Sequence, residues 1–460
     1  MTDLAYPARQ SQLRQGQLRQ GQLRQGLLRQ GLLSRRGFLG AAGAAGVAAA
    51  GGLAGCSSAL KQTPTSPSSG GSGPGGIIKI GFVSPQTGQL SVFTQSNGYV
   101  LGQVRSALAK GLTIGGKKYS VEIIAQDSQS SSARAATVAS QLVQQSGVDF
   151  LIATATPETV IPVSAQAEAS GVPCVVTICP WEQWYYKSSG AANTFKYSYM
   201  YFLGTQEETN LFTKVWAKAS TNHVVGGLWP ADVDGAGFEK YMKAKLGGMG
   251  WKVVPSGGYT DGTSDFASII SKFKAANVEI LHAAPIPPDF ITFWRQAHQN
   301  GFVPKIATIS KALLFPSAAA ALGPLVNNVM SPLWWTPQFP YQSSLDGTTA
   351  SAFAANYKTK TGNDWTQPMG FNYAVFEIAV AALKASGNPK DKAAVASAIG
   401  KLKGQAITGA YDFTSGPVPH VSQIPELLAQ WRVQSGGPQL VVIDNSELPA
   451  VPVASKMQLL

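Results

Sequence analysis

The side chains that could do acid–base or nucleophilic chemistry are few in this chain, and they are scattered. The sequence contains no HExxH, GxSxG or CxxC, the motifs that assemble a zinc site, a serine nucleophile and a redox dithiol. Its four histidines lie far apart: His223, His282, His298 and His420. The pattern predicts structural or exposed histidines, no metal site, no cofactor, and a protein that binds rather than catalyses.

The cysteines Cys174 and Cys179 bracket a short apolar stretch that reads as a strand. Along an extended strand, Cα atoms five residues apart stand roughly 16 Å apart. A disulfide tolerates a Cα separation of at most about 7 Å. We therefore expect two free, partly buried thiols.

Two glycine-rich stretches approach nucleotide-binding patterns without the required context. Residues 71–76 match GxGxxG, but they precede a predicted strand and open no helix. Residues 111–118 come close to a P-loop, yet Lys118 stands where Ser or Thr is required. Both are predicted turns, and no nucleotide site is expected.

The formal net charge of +12 is unevenly distributed along the chain. Residues 1–55 hold seven arginines and one acid, so half of the excess lies in this leader. No nucleic-acid-binding motif accompanies the remaining charge. It predicts a solvated surface and no nucleic acid partner.

The leader contains an export pattern. Ser34-Arg35-Arg36-Gly37-Phe38-Leu39 resembles the twin-arginine motif, and an Ala/Gly-rich apolar segment of about 17 residues follows, which suits a signal h-region. The segment ends at Leu53-Ala54-Gly55-Cys56, which matches the lipobox of bacterial lipoproteins. The resemblance implies cleavage before Cys56, a lipid on that residue, and export by the twin-arginine machinery to the outer face of the cell membrane.

The rest of the N-terminal region is of low complexity. Residues 12–31 repeat a five-residue unit with glycine at every fifth position, which disfavours a stable helix. Residues 56–76 after the leader are rich in Ser, Gly and Pro and predict a flexible tether. We therefore divide the N-terminal region into a signal over 1–55 and a tether over 56–76.

The folded part begins with a β-branched run, Ile77–Val83, that predicts a strand buried on both faces. A turn sequence, Ser84–Gly88, follows it, and in a parallel sheet ligands bind beyond the carboxyl ends of strands. Gln86 in this turn is therefore a candidate ligand contact. Strands and helices alternate through two successive units after it, which predicts an α/β protein with two mainly parallel sheets flanked by helices.

This part of the chain resembles the solute-binding proteins of ABC importers, in the branch of the leucine/isoleucine/valine-binding proteins. Six short segments carry the resemblance over nearly all of 77–433: Ile78–Gly88, Val121–Asp127, Ser132–Ala136, Ala169–Pro173, Ser264–Phe266 and Trp294–Ala297. It implies a type I periplasmic-binding-protein fold of two lobes joined by three crossovers. Lobe 1 would comprise 77–197 and 335–412, and lobe 2 would comprise 198–334 and 413–460.

The resemblance also implies ligand contacts at the facing edges of the lobes. In lobe 1 these are Phe93, then Thr156 and Pro157 at the start of a helix, then Ile178 and Cys179 after a strand. The amides of a helix N-terminus suit an anion, but a proline contributes no N–H. Thr156 fits two roles equally: ligand contact and ordinary N-cap.

In lobe 2, Asp289 matches an acidic residue that holds a ligand ammonium in amino-acid-binding relatives. A carboxylate in the first turn of a helix is also favoured by the helix dipole alone, so both roles stay open. Asp234 stands where the family often has tyrosine, which departs from amino-acid recognition.

Aromatic residues cluster near the expected cleft, and Trp181 and Trp334 are the two we select as ligand contacts. The others that belong to this cluster are Trp184, Tyr185, Tyr186, Trp229 and Trp335. Several such walls would suit an apolar or aromatic body with one polar end.

These observations predict an exported, lipid-anchored, monomeric receptor that binds a small organic molecule, amino-acid-like or an aromatic carboxylate, and delivers it to ABC permease subunits. The expected mechanism is hinge closure around the ligand. The alternative is a ligand-sensing module of a signalling system.

Overall fold

The computed structural model describes residues 74–187 and 189–460, in which strands and helices alternate. The strands are β1 (Pro74–Ser84), β2 (Leu112–Ile114), β3 (Lys117–Asp127), β4 (Phe150–Thr154), β5 (Cys174–Thr177), β6 (Ser198–Tyr201), β7 (Val224–Leu228), β8 (Lys252–Pro255), β9 (Ile280–Ala283), β10 (Ile306–Ile309), β11 (Met330–Leu333), β12 (Lys403–Ala406), β13 (Gly409–Asp412), β14 (Val421–Ser422), β15 (Leu427–Gln434) and β16 (Gly437–Asp444). The helices are α1 (Asn97–Ala107), α2 (Ser132–Gln144), α3 (Pro157–Ser170), α4 (Trp181–Tyr185), α5 (Thr205–Trp216), α6 (Val233–Gly248), α7 (Ala267–Ala275), α8 (Pro287–Gln299), α9 (Pro316–Leu322), α10 (Ala350–Thr361), α11 (Gln367–Ala385) and α12 (Lys392–Ile399).

Seven strands form the sheet of the first lobe in the order β14-β6-β5-β4-β1-β3-β2. All neighbours are parallel except β2 and β3. The central strands β4 and β5 are buried at every residue, as expected when helices cover both faces of a parallel sheet. Their carboxyl ends therefore open on the same edge of the lobe.

The sheet of the second lobe also has seven strands, in the order β16-β15-β11-β10-β9-β7-β8. The five strands β11, β10, β9, β7 and β8 run parallel to their neighbours in this group, while β15 runs antiparallel to both β11 and β16. The hairpin of β12 and β13 forms a separate small sheet. Two α/β lobes of this kind confirm the predicted fold class.

The chain passes between the sheets three times, and two of the predicted lobe boundaries are wrong. Strand β6 pairs with β5, so the chain leaves the first lobe at 202–204 and not at 197. Strand β14 pairs with β6, so the last passage lies at 423–426 and not at 412. Both strands are short and carry no β-branched run that marks them locally; only pairing with a neighbouring strand reveals them. The remaining passage follows β11, which ends at Leu333.

Among the described residues, no helix combines the length and the apolar composition that crossing a bilayer requires. The predicted leader, lipobox and tether up to residue 73 lie outside the described residues.

Candidate ligand-binding cleft

A narrow cavity of about 20 Å³ lies between the two lobes, at the carboxyl ends of their strands. Residues from both lobes and from two of the passages line it. They are Phe93, Thr156, Ile178, Pro180, Phe202, Leu203, Glu208, Asp234, Phe238, Ser310, Lys311 and Trp334. Its mixture of apolar walls with few polar groups is that of small-molecule sites, and a ligand larger than water requires the lobes to move further apart.

The lobes touch around this cavity, so the conformation is a closed one. Phe93 of the first lobe meets Phe315 of the second edge to face, with ring centroids 5.1 Å apart. The side chain of Gln183 on α4 donates to the hydroxyl of Thr205 on α5 across 2.7 Å. The indole of Trp181 donates to Glu207 in the same region.

A buried ion-pair cluster forms the polar floor of the cavity. Lys311 follows β10, and its Nζ donates to Asp232 at 2.8 Å and to Asp234 at 3.0 Å. Asp232 also caps α6 by accepting from the amide of Gly235 at 2.6 Å. Burial opposes the charge on Lys311, but the two carboxylates in contact prevail and hold its pKa well above the usual value.

Two acidic groups of the cavity retain acceptor atoms without partners. Oδ1 of Asp234 and Oε1 of Glu208 accept no hydrogen bond, although each residue is only 2% exposed. Burial is the main cause that raises the pKa of both carboxyls; at Glu208 the hydroxyl of Ser310 opposes the rise and the charge of Asp234 adds to it. Unpartnered buried oxygens of this kind point to a ligand that supplies donors.

Four aromatic rings form the cavity walls: Phe93, Phe202, Phe238 and Trp334. Phe202 and Trp334 meet edge to face at 4.9 Å, which fixes the ring of Trp334 beside the cavity. The indole Nε1 of Trp334, a residue that is 4% exposed, makes no hydrogen bond of regular geometry. It lies beside the buried carboxyl of Glu426 and opposes the rise in the pKa of that carboxyl.

A hydrogen-bond chain behind the cavity supports its second-lobe wall. The indole of Trp229 donates to Nδ1 of His282 at 2.8 Å, and Nε2 of His282 lies 3.0 Å from the hydroxyl of Ser310. Because an indole can only donate, Nδ1 is the acceptor and Nε2 carries the proton. Burial lowers the pKa of His282 to about 3, so the ring is neutral.

A sequence profile of the family described as periplasmic binding protein matches residues 77–425, about three quarters of the chain. The chain belongs to the periplasmic binding protein family. This match confirms the resemblance to solute-binding proteins of ABC transporters. Binding of small ligands is the general role of such proteins.

Solved structures of such binding proteins share the fold. The leucine-binding protein LivK of Thermotoga maritima has a TM-score of 0.67 and 18% identity, covering 81% of this chain and 100% of its own. LivJ of Streptococcus pneumoniae, in complex with isoleucine, has a TM-score of 0.66 and 16% identity, and the match covers 80% of this chain and 99% of LivJ. A solute-binding protein of Rhodopseudomonas palustris, in complex with 3,4-dihydroxybenzoic acid, has a TM-score of 0.66 and 15% identity, and the match covers 80% of this chain and 96% of that protein.

In this periplasmic binding protein, half of the ten predicted ligand contacts line the cavity. These are Phe93, Thr156, Ile178, Asp234 and Trp334. Ile178 adopts a φ of 56°, a left-handed conformation that is rare for a β-branched residue and tends to persist where function requires it. Whether these residues contact a ligand stays a prediction.

The other five do not line the cavity. Gln86 is exposed, and its backbone N–H donates to the carboxylate of Asp127. Pro157 faces a shallow depression outside the interlobe cavity. Cys179 is buried with its thiol directed at the carbonyl of Pro180, and Trp181 holds the lobe contact to Glu207. Both Cys174 and Cys179 are free, and they are fully buried rather than partly so.

Asp289, the fifth residue, does not line the cavity either. Its carboxylate accepts from the amide of Gly262 at 3.0 Å. Burial raises the pKa of this carboxyl, and the bond to Gly262 opposes the shift. The structure thus gives Asp289 a loop-holding contact, while the dipole of α8 also favours a carboxylate there.

Sequence reasoning missed Glu208, Lys311 and the ring of Phe202. Lys311 directly follows the predicted strand 305–310, so the rule that selected Gln86 could also have selected it. Glu208 lies one helical turn inside α5 and carries no such local signal. Among the described residues, no group of His, Cys, Asp and Glu has the arrangement of a metal site.

A larger and more open depression of about 400 Å³ lies beside the hairpin of β15 and β16. Its one basic and one acidic side chain, Lys358 and Asp364, are paired with each other at 2.7 Å. None of its lining residues has a buried polar atom without a partner. The interlobe cavity is therefore the better candidate for a ligand site.

Proposed function

We propose that this protein is an extracytoplasmic, lipid-anchored receptor that binds a small organic ligand between its lobes and delivers it to an ABC importer. The observation that carries the proposal is the interlobe cavity with its unpartnered buried oxygens on Asp234 and Glu208. A ligand that pairs with them is held by the second lobe and is covered by Phe93, Thr156 and Ile178 of the first lobe. It therefore favours the closed conformation over the open one.

Ligand-dependent thermal melting tests the binding role. The panel should contain amino acids, benzoates, amines and sugars, because family relatives are crystallised with isoleucine and with dihydroxybenzoate. A compound present at 100 times its Kd should add about 2.7 kcal/mol to the free energy of unfolding. Chemical conversion of the bound compound would contradict the receptor role and indicate an enzyme.

Deletion of the gene tests the importer role. Uptake of the bound compound should be lost and should return when the gene is restored. Retained uptake combined with a lost transcriptional response would instead support the ligand-sensing module.

Membrane anchoring is proposed from Leu53-Ala54-Gly55-Cys56, which lies outside the described residues. The Cys56→Ala variant should leave the membrane fraction and appear in the soluble extracytoplasmic fraction. The neighbouring variant Ser57→Ala is the matched control and should stay at the membrane. Membrane retention of Cys56→Ala would contradict the lipid anchor.

Export in the folded state is proposed from Arg35 and Arg36. Replacing both with lysine should leave uncleaved precursor in the cytoplasm. The control replaces Arg24 and Arg29, in the upstream repeat, with lysine. It leaves the net charge unchanged, as the first variant does, and it should not affect export. Normal export of the Arg35/Arg36 variant would indicate another route.

A further inference from the structure

The anion-binding positions at the cavity are occupied by the protein itself. At the start of α3, Pro157 contributes no N–H, and the hydroxyl of Thr156 donates to Glu158. At the start of α5, the amides of Thr205 and Gln206 each donate to the carboxylate of Glu182 at 2.8 Å. These helix termini would otherwise be the natural place for a ligand carboxylate.

The protein's own carboxylates also occupy the start of α6 and the ammonium group of Lys311. Asp232 accepts from the amide of Gly235 in the first turn of α6. Among the residues that the structure describes, Lys311 is the only basic one that lines the cavity, and it already contacts Asp232 and Asp234. A ligand carboxylate would therefore have to displace one of the protein's own carboxylates from a buried ion pair.

The buried oxygens without partners favour a positively charged group on the ligand over a carboxylate. Oδ1 of Asp234 and Oε1 of Glu208 are buried acceptors that line the cavity without a donor. The aromatic walls attract a cation through the negative faces of their rings. The indole N–H of Trp334 interacts with the buried carboxyl of Glu426, so the charge of the ligand is inferred from the two acceptors alone.

We propose that the ligand is a protonated primary or secondary amine that carries no carboxylate, with its ammonium between Asp234 and Glu208 and an apolar or aromatic body against the rings. The inference rests on the proposed receptor function and specifies its ligand class. Binding of the cation should ionise Glu208, whose pKa burial raises to about 8 in the free protein, while Asp234 is already the carboxylate partner of Lys311. Protons should therefore be released on binding.

Matched sets of compounds test the ligand class. One set is isoamylamine, leucine and 4-methylpentanoate; the other is tyramine, tyrosine and 3-(4-hydroxyphenyl)propionate. Each set keeps the apolar body and changes only the charged groups. In calorimetric titration the amine should bind at least tenfold more tightly than the amino acid and the acid of its set. For tyramine, titration at pH 7 in two buffers of different ionisation enthalpy should show proton release.

Substitutions then locate the ammonium site. Glu208→Gln keeps the size of the side chain and should weaken amine binding at least tenfold. Glu377→Gln is the matched control, since Glu377 is equally buried but does not line the cavity. Thermal melting of both variants verifies that they fold. Should Glu208→Gln melt prematurely, Asp234→Asn, which neutralises the other acceptor and leaves Lys311 paired with Asp232, should weaken the binding of both amines at least tenfold.

Tighter binding of an amino acid or an acid than of its matched amine would overturn the ligand class and leave the receptor function intact. Equal loss of amine binding in Glu208→Gln and Glu377→Gln would overturn the assigned ammonium site. Absence of binding by both amines overturns the inference, and absence of binding across the whole melting panel overturns the receptor function as well.

Discussion

At the scale of single residues, the ion-pair cluster around Lys311 dominates the cavity. The side chain of Lys311 is 7% exposed and touches Asp232 and Asp234 at hydrogen-bonding distance. Removing one member of a buried cluster leaves charges without compensation, and this typically costs about 3–5 kcal/mol. Exposed pairs contribute far less, since water and salt screen them.

We therefore expect Lys311→Met to lower the free energy of unfolding by about 3 kcal/mol, as buried pairs do when one member is lost. The control is Lys358→Met, which breaks the exposed pair with Asp364 and should cost less than about 1 kcal/mol. Urea denaturation at pH 7 measures both. Equal, small effects would show that the cluster around Lys311 is not energetically coupled.

His282 predicts a pH dependence of stability. Its folded-state pKa, about 3, lies below the ordinary 6.5, because burial penalises the charged ring. The contribution of the neutral His282 ring to the free energy of unfolding is therefore complete above pH 6.5, and it is lost as the pH falls from 6.5 towards 3. From pH 7 to pH 5 this amounts to about 2 kcal/mol, since each unit below 6.5 is worth about 1.4 kcal/mol.

The variant His282→Asn removes the titrating ring and keeps a short side chain with an acceptor for Trp229. Its free energy of unfolding should depend less steeply on pH between 6.5 and 5 than that of the unaltered protein. Chemical denaturation over this pH range gives the difference directly. Identical slopes would show that another group causes the acid destabilisation.

At the scale of elements, α11 packs so closely that its glycine has no room for a side chain. A Cβ on Gly370 would lie 2.6 Å from the indole ring of Trp335, which is fully buried. Gly102 in α1 is exposed, and a Cβ there would meet nothing within 4 Å. The same change should therefore have opposite signs in the two helices.

Gly370→Ala should destabilise the protein by about 1–3 kcal/mol through overpacking. Gly102→Ala should stabilise it by about 0.5–1 kcal/mol, because alanine loses less backbone entropy in a helix. Thermal and chemical unfolding of the two variants provide the comparison. A stabilising Gly370→Ala would mean that α11 can shift away from Trp335.

At the scale of the whole molecule, closure brings α4 of the first lobe against α6 of the second. A Cβ on Gly237 of α6 would collide with the side-chain amide of Gln183 on α4. At Gly247, on the same helix, an added Cβ meets nothing within 4 Å. A large side chain at Gly237 should therefore wedge the lobes apart without disturbing either core.

We expect Gly237→Trp to increase the radius of gyration in small-angle scattering and to weaken ligand binding at least tenfold. The control Gly247→Trp should retain the compact form and the affinity. Melting temperatures of the two variants should agree within a few degrees. Unchanged scattering for Gly237→Trp would show that Gln183 and α4 yield locally and that the lobes do not hinge there.

The sequence alone determined the alternation of strands and helices, and the resemblance of six segments added the two-lobed fold. Local composition suffices for these features, because the apolar run Ile77–Val83 and the helical spacing of residues such as Val138 and Leu142 reflect each segment's own burial. The resemblance implied Phe93, Thr156 and Ile178 as ligand contacts, and the structure places all three at the interlobe cavity.

Only the tertiary structure decided which short strands join which sheet and which polar groups meet in the cleft. The strands β6 and β14 are defined by pairing with each other across more than 200 residues of sequence. The residues Glu208, Asp234 and Lys311 come from three separate segments, and their charges matter only where the lobes close and exclude water. Pairing and desolvation both depend on partners distant in sequence, and no local pattern records them.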